Sequence, residues 1–137
     1  MITGDTAILD KKVPFIEGRS LLPEEDSYYD LAIVSQHTES LYNHCIYAIR
    51  YGLKFGERGL PLIGSGDWND GMDKVGEHGK GESVWLGFFL YETLQRFYVV
   101  AKLNDDDEFA AECLQQAKEL RKNINENAWD GEWFRRA

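Results

Sequence analysis

One short stretch of this 137-residue chain concentrates groups able to do chemistry: Gly64-Ser65-Gly66-Asp67-Trp68-Asn69-Asp70-Gly71-Met72. It sets two carboxylates, a carboxamide and an indole at consecutive positions between glycines. Trp68 offers a flat apolar face suited to stacking on a sugar ring, with an N–H donor at its edge. Asp67, Asn69 and Asp70 supply donors and acceptors for hydroxyl groups. A carboxyl held beside an indole is partly desolvated, so its protonated form is favoured and it becomes a proton donor near neutral pH. Two other readings compete. A calcium loop of the EF-hand type needs glycine at the sixth position and glutamate at the twelfth. Counting from Asp67, glycine falls fifth and His78 twelfth, so the register fails. A structural turn in which Asp67 and Asp70 cap backbone N–H groups accounts for the carboxylates but leaves Trp68 unexplained.

Downstream, Gly79-Lys80-Gly81-Glu82-Ser83-Val84-Trp85 leads into an apolar segment. A helix N-terminus attracts anions, and Lys80 adds a positive charge. The spacing is not that of a P-loop, and no strand precedes it. One reading is a helix cap, with Glu82 and Ser83 offsetting the dipole and the free N–H groups. The functional reading is that Lys80 or Glu82 lines a sugar site. His37, His44 and His78 do not repeat at ligand spacing, so no metal site is expected.

The surrounding elements must position that loop. Residues 1–34 lack a helical period and read as an irregular arm punctuated by Pro14, Gly18 and Pro23. A helix is expected within 35–55, starting at Ser35 or Thr38, with Leu41, Cys45, Ala48 and Ile49 on its apolar face. His44 beside that face reads as a packed, hydrogen-bonded residue. Residues 56–82 are too rich in glycine for a regular helix and read as a long ordered loop. Residues 83–126 form a helical hairpin. Its first helix is capped by Ser83 and apolar nearly all round, hence buried between other elements. Its second is amphipathic through Phe109, Ala110, Cys113, Ala117, Leu120 and Ile124. In 127–137, the Asp130-Gly131 turn between aromatics reads as a β-hairpin cut short. The fold class is therefore mainly α, and the chain is expected to be a fragment of a larger helical enzyme.

Composition narrows the partners. The formal charge is −9, which disfavours nucleic acid and anionic membrane surfaces. No apolar run approaches the ~20 residues of a membrane span, and no signal peptide is visible at the N-terminus. Cys45 and Cys113 sit far apart in helical patterns, so reduced thiols in a cytoplasmic protein are expected.

The motif loop, together with Gly79-Lys80-Gly81-Glu82-Ser83-Val84-Trp85-Leu86, resembles glycoside hydrolase family 94. That family holds the cellobiose and chitobiose phosphorylases and the phosphorylase region of cyclic β-1,2-glucan synthases. Gly4-Asp5, Val13-Pro14-Phe15, Ser40-Leu41-Tyr42, His44-Cys45, Gly59-Leu60-Pro61 and Ala128-Trp129-Asp130-Gly131 fit the same family in the same order. The wording of the arm looks closest to the β-1,2-glucan branch. The resemblance implies that the chain is the middle part of an (α/α)6 barrel. It also implies inverting phosphorolysis of a β-glucoside, β-1,2-glucan-like or cellobiose-like, to α-glucose 1-phosphate. By the same resemblance Asp70 is the catalytic general acid and Trp68 holds the donor sugar, with Asp67, Asn69, Lys80 and Glu82 as further substrate-binding candidates. Inorganic phosphate is the co-substrate and no cofactor is implied. The family's phosphate-binding residues fall outside this span, so the isolated segment is expected to be inactive. Two other functions stay open: an α/α-barrel hydrolase using water, which needs a second carboxylate, and a non-catalytic sugar-binding helical module. Self-association is a further expectation, because an all-round apolar helix needs covering.

Overall fold

A computed structural model describes residues 4–20, 22, 25, 28–64 and 70–137. The chain divides into two compact units, Met1–Arg50 and Tyr51–Ala137.

In the first unit a short 3-10 helix, Ala7–Asp10, precedes strand β1 (Lys12–Glu17). β1 pairs antiparallel with β2 (Ile33–Ser40), from Lys12 opposite Ser40 to Glu17 opposite Ile33, and the register is broken between Pro14 and Ile16. The arm expected to be irregular through residue 34 thus contains a strand and the start of a second. A proline is tolerated there because the sheet has only two strands, so its missing N–H need not serve a second neighbour.

The next helix, α1, runs Leu41–Gly52 rather than from Ser35 or Thr38. Ile33, Val34 and Thr38 are β-branched and favour the extended pairing. The cap is Ser40, whose Oγ accepts the N–H of Asn43 at 3.1 Å. Ser35 instead accepts from the His37 N–H at 3.1 Å, closing a local turn within β2. The buried face of α1 is Tyr42, Ile46 and Ile49. The expected stripe through Cys45 and Ala48 is rotated by one position, with Cys45 half-buried and Ala48 exposed. His44 is packed and bonded: its ring lies 4.0 Å from that of Phe15, and Nε2 stands 3.0 Å from the Val13 carbonyl. A carbonyl only accepts, so Nε2 carries the proton in that contact.

The second unit is built on α2 (Val84–Leu103) and α3 (Asp107–Asn127). Both helices are capped by side chains, the first by the Ser83 expected from sequence. Ser83 Oγ accepts from Leu86 N–H at 3.1 Å, and Asp106 Oδ1 accepts from Phe109 N–H at 2.9 Å. The turn between the helices places Asp105 at φ 55°, and Lys102 pairs with Asp107 across it. The buried face of α3 is the expected set, Phe109, Ala110, Cys113, Ala117, Leu120 and Ile124. It packs on Leu90, Leu94 and Ala101 of α2, which are 7%, 1% and 0% exposed. Phe97 meets Phe109 edge to face at 5.6 Å. At the far end Gly87 lies against Ile124, so the two helices run antiparallel.

The other side of α2 differs from expectation. Trp85, Phe88 and Phe89 are exposed, because a helix apolar all round has more apolar surface than one packed neighbour covers. The chain ends in a tight turn, with a single antiparallel bridge between Trp129 and Phe134.

Among the described residues, no helix is long and apolar enough to cross a membrane. Neither cysteine forms a disulfide; Cys113 is buried and Cys45 partly so. Burial raises the Cys45 thiol pKa, which keeps it protonated.

Candidate functional site

The motif loop is carried by a stem whose two sides are distant in sequence. On one side, Phe55 bridges Pro61, and Gly56 and Leu60 close a tight turn through Gly56 N–H to the Leu60 carbonyl at 3.0 Å. Leu62 then bridges Glu82 on the other side. The Ile63 N–H donates to the Gly81 carbonyl at 2.8 Å, and the Ser83 N–H to the Pro61 carbonyl at 2.8 Å. Leu60, Pro61 and Ile63 are buried, which explains why an irregular, glycine-rich segment is ordered here: its backbone groups are paired and its apolar side chains covered.

Residues Asp70–Val75 form a 3-10 helix inside the segment expected to be wholly loop. Its end turns back on the stem. Gly76 is pressed so closely on the Gly64 carbonyl and the Ile63 side chain that a Cβ there would overlap both. Gly64, which opens the motif, and Gly76, which follows the 3-10 helix, therefore meet.

The sequence-predicted site residues fall into three groups. Asp67, Trp68 and Asn69 lie outside the described residues. Asp70 contributes the first backbone position of the 3-10 helix; its side chain lies outside the description. Lys80 and Glu82 are placed, on opposite sides of burial. Lys80 is exposed, while the Glu82 side chain is 8% exposed. Both line a cleft of about 530 Å³ with Phe55, Arg58, Leu62 and Gly79.

The carboxylate of Glu82 is already engaged by the chain. Oε1 accepts the N–H of Arg58 at 3.0 Å and of Leu60 at 3.2 Å. Oε2 stands 3.8 Å from Arg58 Nη1. The start of α2 is likewise filled from within. Val84 N–H donates to the Arg136 carbonyl at 3.1 Å, and Arg136 Nη1 donates to Ser83 Oγ at 3.0 Å. With Ser83 Oγ accepting from Leu86 N–H, two amides that an anion at a helix N-terminus needs are already used. Ser83 caps α2, whereas the Glu82 carboxylate bonds the Arg58 and Leu60 amides and none of α2.

Two residues missed from sequence complete the stem. Asn123 Nδ2 donates to the Gly59 carbonyl at 3.2 Å, and Asn127 Nδ2 to the Arg58 carbonyl at 3.0 Å. The available signal was two asparagines four residues apart on the last turns of α3, since asparagine is a weak helix former that helices carry at a cost. Among the described residues no cluster of His, Cys, Asp or Glu is arranged to hold a metal ion.

Comparison with known proteins gives a consistent answer. Residues 2–137 match the profile described as the glycosyl hydrolase 94 superfamily, catalytic domain. The chain is 41% identical over 137 residues to the cyclic beta-(1,2)-glucan synthase NdvB of Rhizobium meliloti (strain 1021), covering 98% of this chain and 5% of that protein. It is 32% identical over 134 residues to the solabiose phosphorylase of Paenibacillus borealis, covering 96% and 15%. It is 31% identical over 135 residues to the cellobionic acid phosphorylase of Neurospora crassa, covering 98% and 15%. The chain thus spans 5% to 15% of the length of these relatives. With the profile matched almost end to end, the chain belongs to the glycosyl hydrolase 94 superfamily and lies within its catalytic domain.

Proposed function

We propose that the protein carrying this segment is an inverting glycoside phosphorylase, acting on a β-1,2-glucan-like or cellobiose-like substrate. The observation that supports this most is the family match over residues 2–137 together with relatives that are themselves named phosphorylases. The parent domain would be an (α/α)6 barrel, with α2 and α3 as one of its hairpins.

In this reading Trp68 stacks on the donor sugar, and Asp67, Asn69 and the exposed Lys80 hold its hydroxyl groups. Inorganic phosphate attacks the anomeric carbon from the face opposite the leaving group. A bond from a phosphate oxygen to the anomeric carbon forms as the glycosidic carbon–oxygen bond breaks, and Asp70 delivers its proton to the departing oxygen. The products are α-glucose 1-phosphate and a saccharide with a free hydroxyl. An inverting hydrolase needs a second carboxyl to activate water. Phosphate is already an anionic nucleophile, so one acid suffices.

The test uses the full-length protein with β-1,2-gluco-oligosaccharides and cellobiose, with and without inorganic phosphate. Cleavage that requires phosphate and releases the α-anomer of glucose 1-phosphate supports the reading. Cleavage to free glucose without phosphate identifies a hydrolase instead. Sugar binding without cleavage identifies a binding module.

A further inference from the structure

Glu82 lines the cleft where a substrate-binding carboxylate was expected, yet its Oε1 is held by its own chain. The Arg58 and Leu60 amides donate to one oxygen, 24 and 22 residues away in sequence. Gly56 approaches so closely that a Cβ there would stand 2.5 Å from Oε1 and 2.6 Å from Cδ and Cγ. From the opposite side, α3 holds the carbonyls of the same turn through Asn123 and Asn127. Donors and acceptors of residues 58–60 are therefore gripped together. The residues that follow, Pro61 to Gly64, run straight into the motif loop.

We infer that Glu82 is a positioning residue: its carboxylate locks the Gly56–Leu60 turn and so sets where the motif loop begins, without touching substrate. The inference deepens the reading of Asp70 as the acid and rests on it. A buried carboxylate is costly unless its oxygens are occupied. Here Oε1 takes two backbone donors, at 3.0 and 3.2 Å, and Oε2 faces the Arg58 guanidinium at 3.8 Å. Hydrogen bonds to an ionised acceptor are stronger than those between neutral groups. The stem that follows the clamped turn is met again past the 3-10 helix that Asp70 opens, where Gly76 packs on Ile63 and Gly64. The chemistry of the side chain makes the claim specific. Glutamine keeps an acceptor oxygen that serves both amides, losing only the charge that faces Arg58. Alanine removes the acceptor altogether.

The experiment measures α-glucose 1-phosphate release by the full-length protein from β-1,2-gluco-oligosaccharides or cellobiose and inorganic phosphate, well below its melting transition. Glu82→Ala is expected to lower kcat by about tenfold or more, with KM for sugar and phosphate shifted by less than about threefold. Glu82→Gln is expected to stay within about threefold of the wild type in kcat. A Glu82→Gln variant as impaired as Glu82→Ala, or a large rise in KM in either, means that the charge meets substrate and overturns the inference.

Amide hydrogen exchange gives a readout independent of turnover. The Arg58 and Leu60 amides should exchange at least about tenfold faster in Glu82→Ala and stay protected in Glu82→Gln. Unchanged protection in Glu82→Ala overturns the inference whatever the substrate proves to be. Gly56→Ala presses on the same carboxylate and serves if Glu82→Ala does not fold. It should lower kcat and expose the same two amides, and intact protection there counts against the clamp. Asp70→Asn run in parallel separates the two readings: wild-type turnover in that variant removes the acid assignment, and the clamp is then decided by the exchange data.

Discussion

The Nδ2 of Asn127, on the last turn of α3, donates to the carbonyl of Arg58 at 3.0 Å across 69 residues of sequence. Asn123, one turn earlier, does the same for Gly59. Together they make the end of a helix into a support for the stem of the motif loop. Replacing both by alanine leaves two carbonyls without their side-chain donors. Each lost bond is expected to cost about 1 kcal/mol, and urea unfolding of the full-length protein is the check. Turnover should fall by more than the stability change explains, because the stem also sets the loop.

Asp70→Asn keeps the shape of the side chain and removes its proton. General-acid assistance is worth about 10²–10⁴-fold, so phosphorolysis by the full-length protein should fall by that order. Circular dichroism should show the fold unchanged. Wild-type turnover in this variant would dismiss Asp70 as the acid.

Gly76→Ala forces a methyl group into the Gly64 carbonyl and the Ile63 side chain. Overpacking of this kind typically costs about 1–3 kcal/mol. The expected outcome is a lower melting temperature and a larger loss of turnover than an alanine at Gly52 produces, where a Cβ meets no atom within 4 Å.

Ser83 is fully buried and its hydroxyl serves two partners, the Leu86 amide and Arg136 Nη1. Ser83→Ala removes the cap of α2 and strands a guanidinium contact. A lost cap costs typically ~1 kcal/mol and at most ~2. Ser83→Thr should restore most of it, as read by thermal unfolding.

Asp130 organises the terminal turn by accepting from the Trp133 N–H at 2.7 Å and the Glu132 N–H at 2.9 Å. The Trp133 bond first, then the Glu132 bond, pull its carboxyl pKa below the ordinary aspartate value of 3.8. A group whose folded pKa is depressed stabilises the turn above its unfolded pKa and loses that contribution as pH falls through the folded one. Carbon-detected NMR titration should show a midpoint below 3.8. The amide shifts of Glu132 and Trp133 should move with it. An ordinary midpoint would show that the carboxylate is not held by those amides.

The α2–α3 hairpin was legible in the sequence almost residue by residue. The apolar positions of α3 recur at three- and four-residue steps, and Ser83 is a side chain that caps the turn directly following it. Such signals are local, since one helical turn brings their partners together. The motif Asp67-Trp68-Asn69-Asp70 and the family were legible for a similar reason: they consist of residue types in consecutive order. The β1–β2 pair was not, because Pro14 and a run of polar residues hide the alternation, and a strand needs a partner some twenty residues away. Nor was the true face of α1, where Ile46 outweighs Cys45 and Ala48 in apolar area.

Least legible was the use of Glu82. Read along the chain, it is a carboxylate next to a lysine at a helix start, equally fit to cap or to bind. Folding brings Arg58 and Leu60 from 24 and 22 residues upstream onto one of its oxygens, a contact that neither reading contains. A buried charge must be satisfied by whatever the fold places around it, and that neighbourhood is assembled from segments the linear order keeps apart.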